Sequence, residues 1–385
     1  MQVTIEKLVQ GGSGFARLDS NKSLFVEGAL PGEVVEVIID EEKKGYAKGH
    51  VKTILSVSAD RVTAPCRYWG VCGGCDLQHL SSEKQPEVKQ KMVLENLERI
   101  GSIPSSSFIL EETAFAKSWA YRSRVRFHVD MATREIGFLA KRSNDLVPIK
   151  TCPILVDDLN VELAQKDRII AAARAVMFSS KERTKRYIEV NAFAGDKKVS
   201  FGDEVVTTTI DGHPFFVTAN VFFQSNLLLL PALVQYVSSH VVGNHVMDLY
   251  SGVGTFSSFL ATQARSLIAV ERQKECLALA KRNVPGLEVY TDKVELWAKK
   301  QRQHVDTVVV DPPRTGLEEG LPTLIASWKA KRVIYVSCDS VTLGRDLQRF
   351  TQQGYTVAKV KVFDLYPQTF HQEVVVILDR EEHTL

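Results

Sequence analysis

The sequence predicts an α/β protein: a doubly wound sheet preceded by a small β-barrel and a central α/β unit. Three observations carry this. From about residue 225 strand and helix patterns alternate, the first 58 residues are short β-rich stretches broken by turn residues, and between them "CRYWGVCGGC" packs three cysteines into residues 66–75. Alternating strands and helices build βαβ units and a mostly parallel sheet, which takes ligands outside the carboxyl ends of its strands. A length of 385 residues suits two or three domains, and the expected boundaries are 1–58, 59–218 and 219–385. The start, MQVTIEKLVQ, lacks the basic and apolar regions of a secretory signal, and the apolar run LLLLPALV is cut by Pro231. The expectation is a soluble cytoplasmic protein. With a net charge of only +2, any nucleic-acid surface must come from local patches.

In the first unit "QGGSG", "DSNKS", "LPGE" and "EKKGY" separate stretches such as VTIEKLV, LFVEG, EVVEVII and GHVKTILSV. Five short strands in this length suit a small OB-like barrel, a form that often holds nucleic acid. A domain that only mediates packing would show the same pattern.

The cysteines come next. Cys66, Cys72 and Cys75 form C-x5-C-x2-C, and Cys152 follows in "IKTCPIL". Clustered thiols in a reducing compartment are more often metal ligands or catalysts than disulfides. Four thiolates suit a tetrahedral zinc or an iron–sulfur cluster. The spacing is not the paired C-x2-C of a zinc ribbon, and it leaves both metals open.

Residues 82–100 predict a helix through Val88, Met92, Leu97 and Ile100, with Pro86 in its first turn and Gly101 past its end. "VDDLNVELAQKDRIIAAARAVMF" predicts one long helix over 156–178. In "WAYRSRVRFHV" Arg122, Arg124 and Arg126 alternate with Val125, Phe127 and Val129. A period of two puts three guanidiniums on one face of a strand, where they suit RNA phosphates. A solvated face with local ion pairs is the plainer alternative.

In the last unit "DLYSGVGTFS" (248–257) ends a strand and turns through glycines into a helix. Gly252 and Gly254 permit close backbone approach, and Glu271 follows at the distance of a ribose-binding acid, but the third glycine of a dinucleotide fingerprint is missing. S-adenosylmethionine, with a ribose and no pyrophosphate, fits this pattern better than NAD. "DPPR" (311–314) places Asp311 at a later strand end. Arg314 stands where amino-methyltransferases carry a stacking aromatic, which argues against a nitrogen acceptor. Cys338 ends the apolar strand of "RVIYVSCDS", and Glu373 opens the final strand in "FHQEVVVIL". A lone cysteine at a strand end is more often a small core residue than a nucleophile. A methyl-donor site, a thiol and a carboxylate in one crevice change that reading. Uridine C5 is a poor nucleophile until a thiolate adds at C6. A carboxylate can then take the C5 proton and allow elimination.

"FFQSN", "DLYSGVGTF", "DPPRTGL", "VSCDSVTLGRDL" and "YPQTFHQEVV" occur in this order through 219–378. Together they resemble the signature blocks of the RNA 5-methyluridine methyltransferase family. The resemblance implies a Rossmann-like class I methyltransferase domain, with a TRAM domain as the N-terminal barrel. It implies that Gln224, Tyr250, Gly252, Glu271 and Asp311 contact S-adenosyl-L-methionine, with Asp292 a looser match. Cys338 would be the nucleophile and Glu373 the proton acceptor, with His371 the next candidate base. Cys66, Cys72, Cys75 and Cys152 would hold a [4Fe-4S] cluster in a central domain that binds RNA. The implied partner is RNA, with 23S rRNA expected as substrate and tRNA the alternative. Two rivals are weaker. A non-catalytic RNA-binding protein should have lost Cys338 or Glu373, and a radical enzyme should show C-x3-C-x2-C with one open iron.

Overall fold

The computed structural model describes residues 1–179 and 186–381. The first sheet has six strands: β1 (Gln2–Thr4), β2 (Lys7–Leu8), β3 (Gly14–Arg17), β4 (Ser23–Glu27), β5 (Val34–Glu42) and β6 (Tyr46–Ser56). Their order is β1-β5-β6-β4-β3-β2, and Leu24, Val26, Val35 and Ala47 fill the interior. The count exceeds the expected five because the VTIEKLV stretch breaks. Ile5 leaves the β1 ladder to pair with Gly32 and Glu33 through its backbone.

Helix α1 (Gln85–Gly101) follows the cysteine segment. Gly101 lies inside the helix rather than past it, and Ser102 takes the left-handed cap. The glycine is needed laterally, because a Cβ there would sit 3.0 Å from the Gly344 carbonyl oxygen on the helix packed against it. After β7 (Ile109–Leu110) come β8 (Arg124–Asp130), β9 (Glu135–Leu139), β10 (Leu146–Pro148), β11 (Ile188–Ala194) and β12 (Val199–Phe201). The last five form one sheet ordered β10-β9-β8-β11-β12. The predicted single helix over 156–178 is two, α2 (Asp157–Gln165) and α3 (Asp167–Ser179). Lys166 between them has φ 65° and caps α2, which lets both helices lay their apolar sides on the sheet through Leu159, Leu163, Ile169 and Ile170. A hairpin of β13 (Val206–Ile210) and β14 (His213–Val217) leads onward.

The last unit carries α4 (Leu230–Ser239), β15 (His245–Leu249), α5 (Thr255–Leu260), β16 (Ser266–Glu271), α6 (Lys274–Asn283), β17 (Glu288–Thr291) and α7 (Val294–Ala298). It continues with β18 (Thr307–Val310), α8 (Leu321–Ser327), β19 (Arg332–Ser337), α9 (Ser340–Thr351), β20 (Tyr355–Phe363) and β21 (Glu373–Arg380). The eight-stranded sheet runs β17-β16-β15-β18-β19-β21-β20-β7. Strands β15 to β19 are mutually parallel and β21 inserts antiparallel beside β19. Buried runs such as Val308–Val310 and Val374–Val376 read as apolar throughout because helices cover both faces. Among the described residues no helix is long and apolar enough to cross a membrane.

Candidate active site

The strand order reverses between β15 and β18, and the loops there open onto a cavity of about 770 Å³. After β15 the chain turns sharply: Tyr250, Gly252 and Gly254 have φ of 64°, 55° and 81°. The Gly252 N–H donates to Glu271 Oε2 at 3.2 Å, and Gln273 N donates to Oε1 at 2.8 Å, so the acid at the end of β16 is tied to the glycine turn. Gln224, Tyr250, Gly252, Glu271, Asp292 and Asp311 all line this cavity, and so do Cys338 and Glu373.

Strand pairing explains the last two. β19 and β21 run antiparallel with Ser337 opposite Val374, so Cys338 and Glu373 stand one step further in the same register. Facing pairs in an antiparallel ladder have Cβ atoms about 4.5–5.5 Å apart on one side of the sheet. Cys338 is fixed from the other side too, since Asp339 caps α9 by accepting from the backbone N–H groups of Val341 and Thr342. Glu373 is fully buried, and its Oε1 has no hydrogen-bond partner among the described residues. An unpartnered buried carboxylate oxygen costs stability and marks a group held ready for something else.

Electrostatics in the cleft favour protonated acids. Burial first, then the Asp311 carboxylate, push the Glu373 carboxyl well above its usual range. Burial and Asp248 push Asp311 up to about 7. Burial, Glu373 and Asp311 push the Cys338 thiol up to about 12, against a smaller downward pull from Arg314. His371 is held neutral down to about 3 by burial and by Arg314, whose Nη2 lies 3.3 Å from its Nε2. His371 lies two residues before β21, outside the strand that Glu373 opens. A cation in this cavity would lower the acids and the thiol together.

One residue of the site and one buried acid behind it escaped sequence reasoning. Asp248, fully buried at the end of β15, accepts from the backbone N–H and hydroxyl of Ser257 and is pushed up to about 7 by burial. Tyr366 lines the cavity and donates to Gln224 Oε1 at 3.1 Å. Only the fold turns Tyr366 toward the cleft, and Asp248 acts on it from behind by raising Asp311.

The arginine stripe is split. Arg124 and Arg126 alternate with buried Val125 and Phe127 on β8, whereas Arg122 precedes the strand and bridges Asn226 and Leu155. Arg122 and Arg124 line the large cavity, and Arg126 instead pairs with Glu189 at 3.1 Å. Arg122 also lines a second cavity of about 240 Å³, whose wall includes Cys66, Cys72, Cys75 and Cys152. Among the described residues no three His, Cys, Asp or Glu side chains are close enough together to hold a single metal ion.

The sheet order, the glycine turn and the acid at the end of the second strand define a class I methyltransferase domain. A family model described as tRNA (Uracil-5-)-methyltransferase matches residues 298–381, and a TRAM domain model matches residues 1–52. An uncharacterized RNA methyltransferase of Treponema denticola is 31% identical, over 97% of this chain and 98% of its own length. One from Halalkalibacterium halodurans is 32% identical over 98% of this chain and 96% of its own. The fold matches the crystal structure of the Pyrococcus abyssi tRNA (uracil-54, C5)-methyltransferase in complex with S-adenosyl-L-homocysteine. That match has a TM-score of 0.72 and 22% identity, over 98% of this chain and all of the other. The chain belongs to the RNA (uracil-5-)-methyltransferase family and is an S-adenosylmethionine-dependent RNA methyltransferase.

Proposed function

We propose that this protein methylates C5 of a uridine in RNA, with 23S rRNA as substrate. The observation that carries the reading is the register that sets Cys338 opposite Glu373 in the cavity that also holds Glu271 and Asp311. O- or N-methylation has no use for a thiol facing a buried carboxylate, whereas C5 methylation needs both. Gln224, Tyr250, Gly252, Glu271 and Asp311 would hold S-adenosylmethionine, with Asp292 at the rim. When bound, the cofactor supplies a methyl group on a cationic sulfur. Cys338 Sγ bonds to C6 of the ring and makes C5 nucleophilic. Glu373 takes the C5 proton once C5 carries the methyl. The C6–S bond then breaks and the thiolate is regenerated. The Arg314 guanidinium already pulls both the thiol and Glu373 toward their anionic forms.

Arg122 and Arg124 flank the cavity and suit the phosphates beside the target uridine. The choice of 23S rRNA over tRNA rests on the pairing of a TRAM domain with four cysteines. Those cysteines would hold a [4Fe-4S] cluster. A mononuclear zinc would need its sulfurs about 2.3 Å from one point, whereas these thiols ring a cavity. Trp69 lines the same cavity beside the four thiols.

The test is to incubate the enzyme and methyl-labelled cofactor with total RNA lacking the modification. Label in 5-methyluridine of 23S rRNA is the expected result. Label in tRNA alone would move the substrate, and label on another base or on ribose would overturn the reading.

A further inference from the structure

Between β20 and β21 the chain makes a tight excursion, residues 364–372, that delivers Tyr366, His371 and Glu373 to the cleft. Its corner is Gln368, a non-glycine residue at φ 69°. A left-handed conformation at such a residue costs of order 1 kcal/mol and persists only where surroundings enforce it. Every polar atom of Gln368 is bonded to one distant segment, residues 76–85. Its carbonyl accepts from Asp76 N and Leu77 N at 2.9 and 3.0 Å. Its N–H donates to Gln85 Oε1 at 2.7 Å, its Oε1 accepts from Gln85 Nε2 at 3.0 Å, and its Nε2 donates to Ser82 Oγ at 3.0 Å. Gln85 is fully buried and also donates to the carbonyls of Leu77 and Leu80. The neighbouring carbonyl of Pro367 accepts from the buried Tyr121 hydroxyl at 2.9 Å, and Tyr121 packs on Cys75.

From this we infer that Gln368 is a positioning residue. It ties the reactive segment to the chain that begins one residue after Cys75, so that the wall of the cysteine cavity sets the placement of Tyr366 and Glu373. The inference deepens the reading of the cleft as a uridine methyltransferase site and explains a glutamine where the backbone alone would favour glycine. Hydrogen bonds of this kind order a segment without touching substrate. A displacement of about 1 Å in the reacting groups is enough to cost on the order of a hundredfold in rate.

Gln368→Gly keeps the left-handed backbone and the backbone bonds to Asp76, Leu77 and Gln85, and removes the two side-chain bonds, to Gln85 Nε2 and Ser82 Oγ. The first readout is hydrogen exchange, which needs no activity. Amides of 366–374 should exchange at least about tenfold faster than in the parent, while those of the 250–257 turn stay unchanged. The second is kinetic: kcat should fall about ten- to a hundredfold with the cofactor KM within about twofold. Tyr121→Phe keeps the buried ring, removes one bond, and should give a smaller change of the same kind. Unchanged exchange over 366–374 in both variants would overturn the inference, as would faster exchange spread evenly over the whole sheet. If the parent methylates no uridine, the function is wrong, yet the exchange result still decides the strut.

Discussion

The two cysteine sites of this protein use one side chain in opposite surroundings. Around the smaller cavity, burial pushes the Cys75 thiol up to about 12 and raises Cys72 and Cys152, with other cysteines adding to the rise and Arg122 opposing it. In the cleft burial likewise pushes Cys338 up to about 12, but its neighbours are Glu373 and Asp311, with Arg314 opposing them. Thiols that ring one space stay neutral there, and metal ligation would deprotonate them together. A thiol that faces carboxylates and one guanidinium becomes anionic when a cation and an electron-poor ring enter. Desolvation and an opposing guanidinium are common to both, so the other facing groups, thiols at one site and carboxylates at the other, set the two apart.

The comparison breaks most sharply at Cys338. Cys338→Ala should lower methylation by about 10⁴-fold or more and form no covalent protein–RNA species. Glu373→Gln should slow turnover by about 10²–10⁴-fold, yet leave methylated RNA attached through the thiol as a slow band on a denaturing gel. Absence of that band, with RNA and cofactor still bound, would place the base elsewhere.

The smaller cavity should respond in a different observable. Anaerobically purified protein should show broad visible absorption that Cys72→Ser or Cys152→Ser abolishes, with a fall in Tm because metal binding is coupled to folding. A colourless protein with one stoichiometric zinc would remove the cluster and leave the chemistry at Cys338 standing.

The smallest effect concerns stability. Asp311, pushed up to about 7 from an ordinary 3.8, binds a proton in the folded state that the unfolded chain has already lost. Its contribution therefore turns unfavourable as pH rises from about 4 to 7. Asp311→Asn should be more stable than the parent by up to about 4 kcal/mol at pH 8 and equal to it near pH 4. Thermal melts at the two pH values read this directly. A destabilised variant at pH 8 would mean that the carboxylate is ionised and partnered in the empty cleft.

Much of the fold was legible because its signals are local. Alternating apolar strands and amphipathic helices specify βαβ units wherever they occur, and the glycine turn after β15 needs only its own residues to adopt positive φ. The break at Lys166 was not legible, since no proline or glycine marks it and the helical period continues across it. What decides it is the sheet beneath, which two short helices cover better than one straight one. Gly101 misled for a related reason: read as a terminator, it is a contact surface for Gly344, 243 residues away in sequence.

The sequence by itself determined the residue types of the chemistry: a thiol and a carboxylate at strand ends, an acid at ribose distance from a glycine turn, and three clustered cysteines with a fourth further on. These follow from side-chain chemistry and short-range spacing. Only the tertiary structure decided which groups meet. The antiparallel insertion of β21 beside β19 sets Cys338 opposite Glu373. The closure of residues 76–85 on Gln368 joins the two cysteine regions, and the split of the arginine stripe leaves Arg122 in the walls of both cavities. Such pairings depend on long-range register and loop closure, whose free energy is carried by the whole core and by no short stretch of chain.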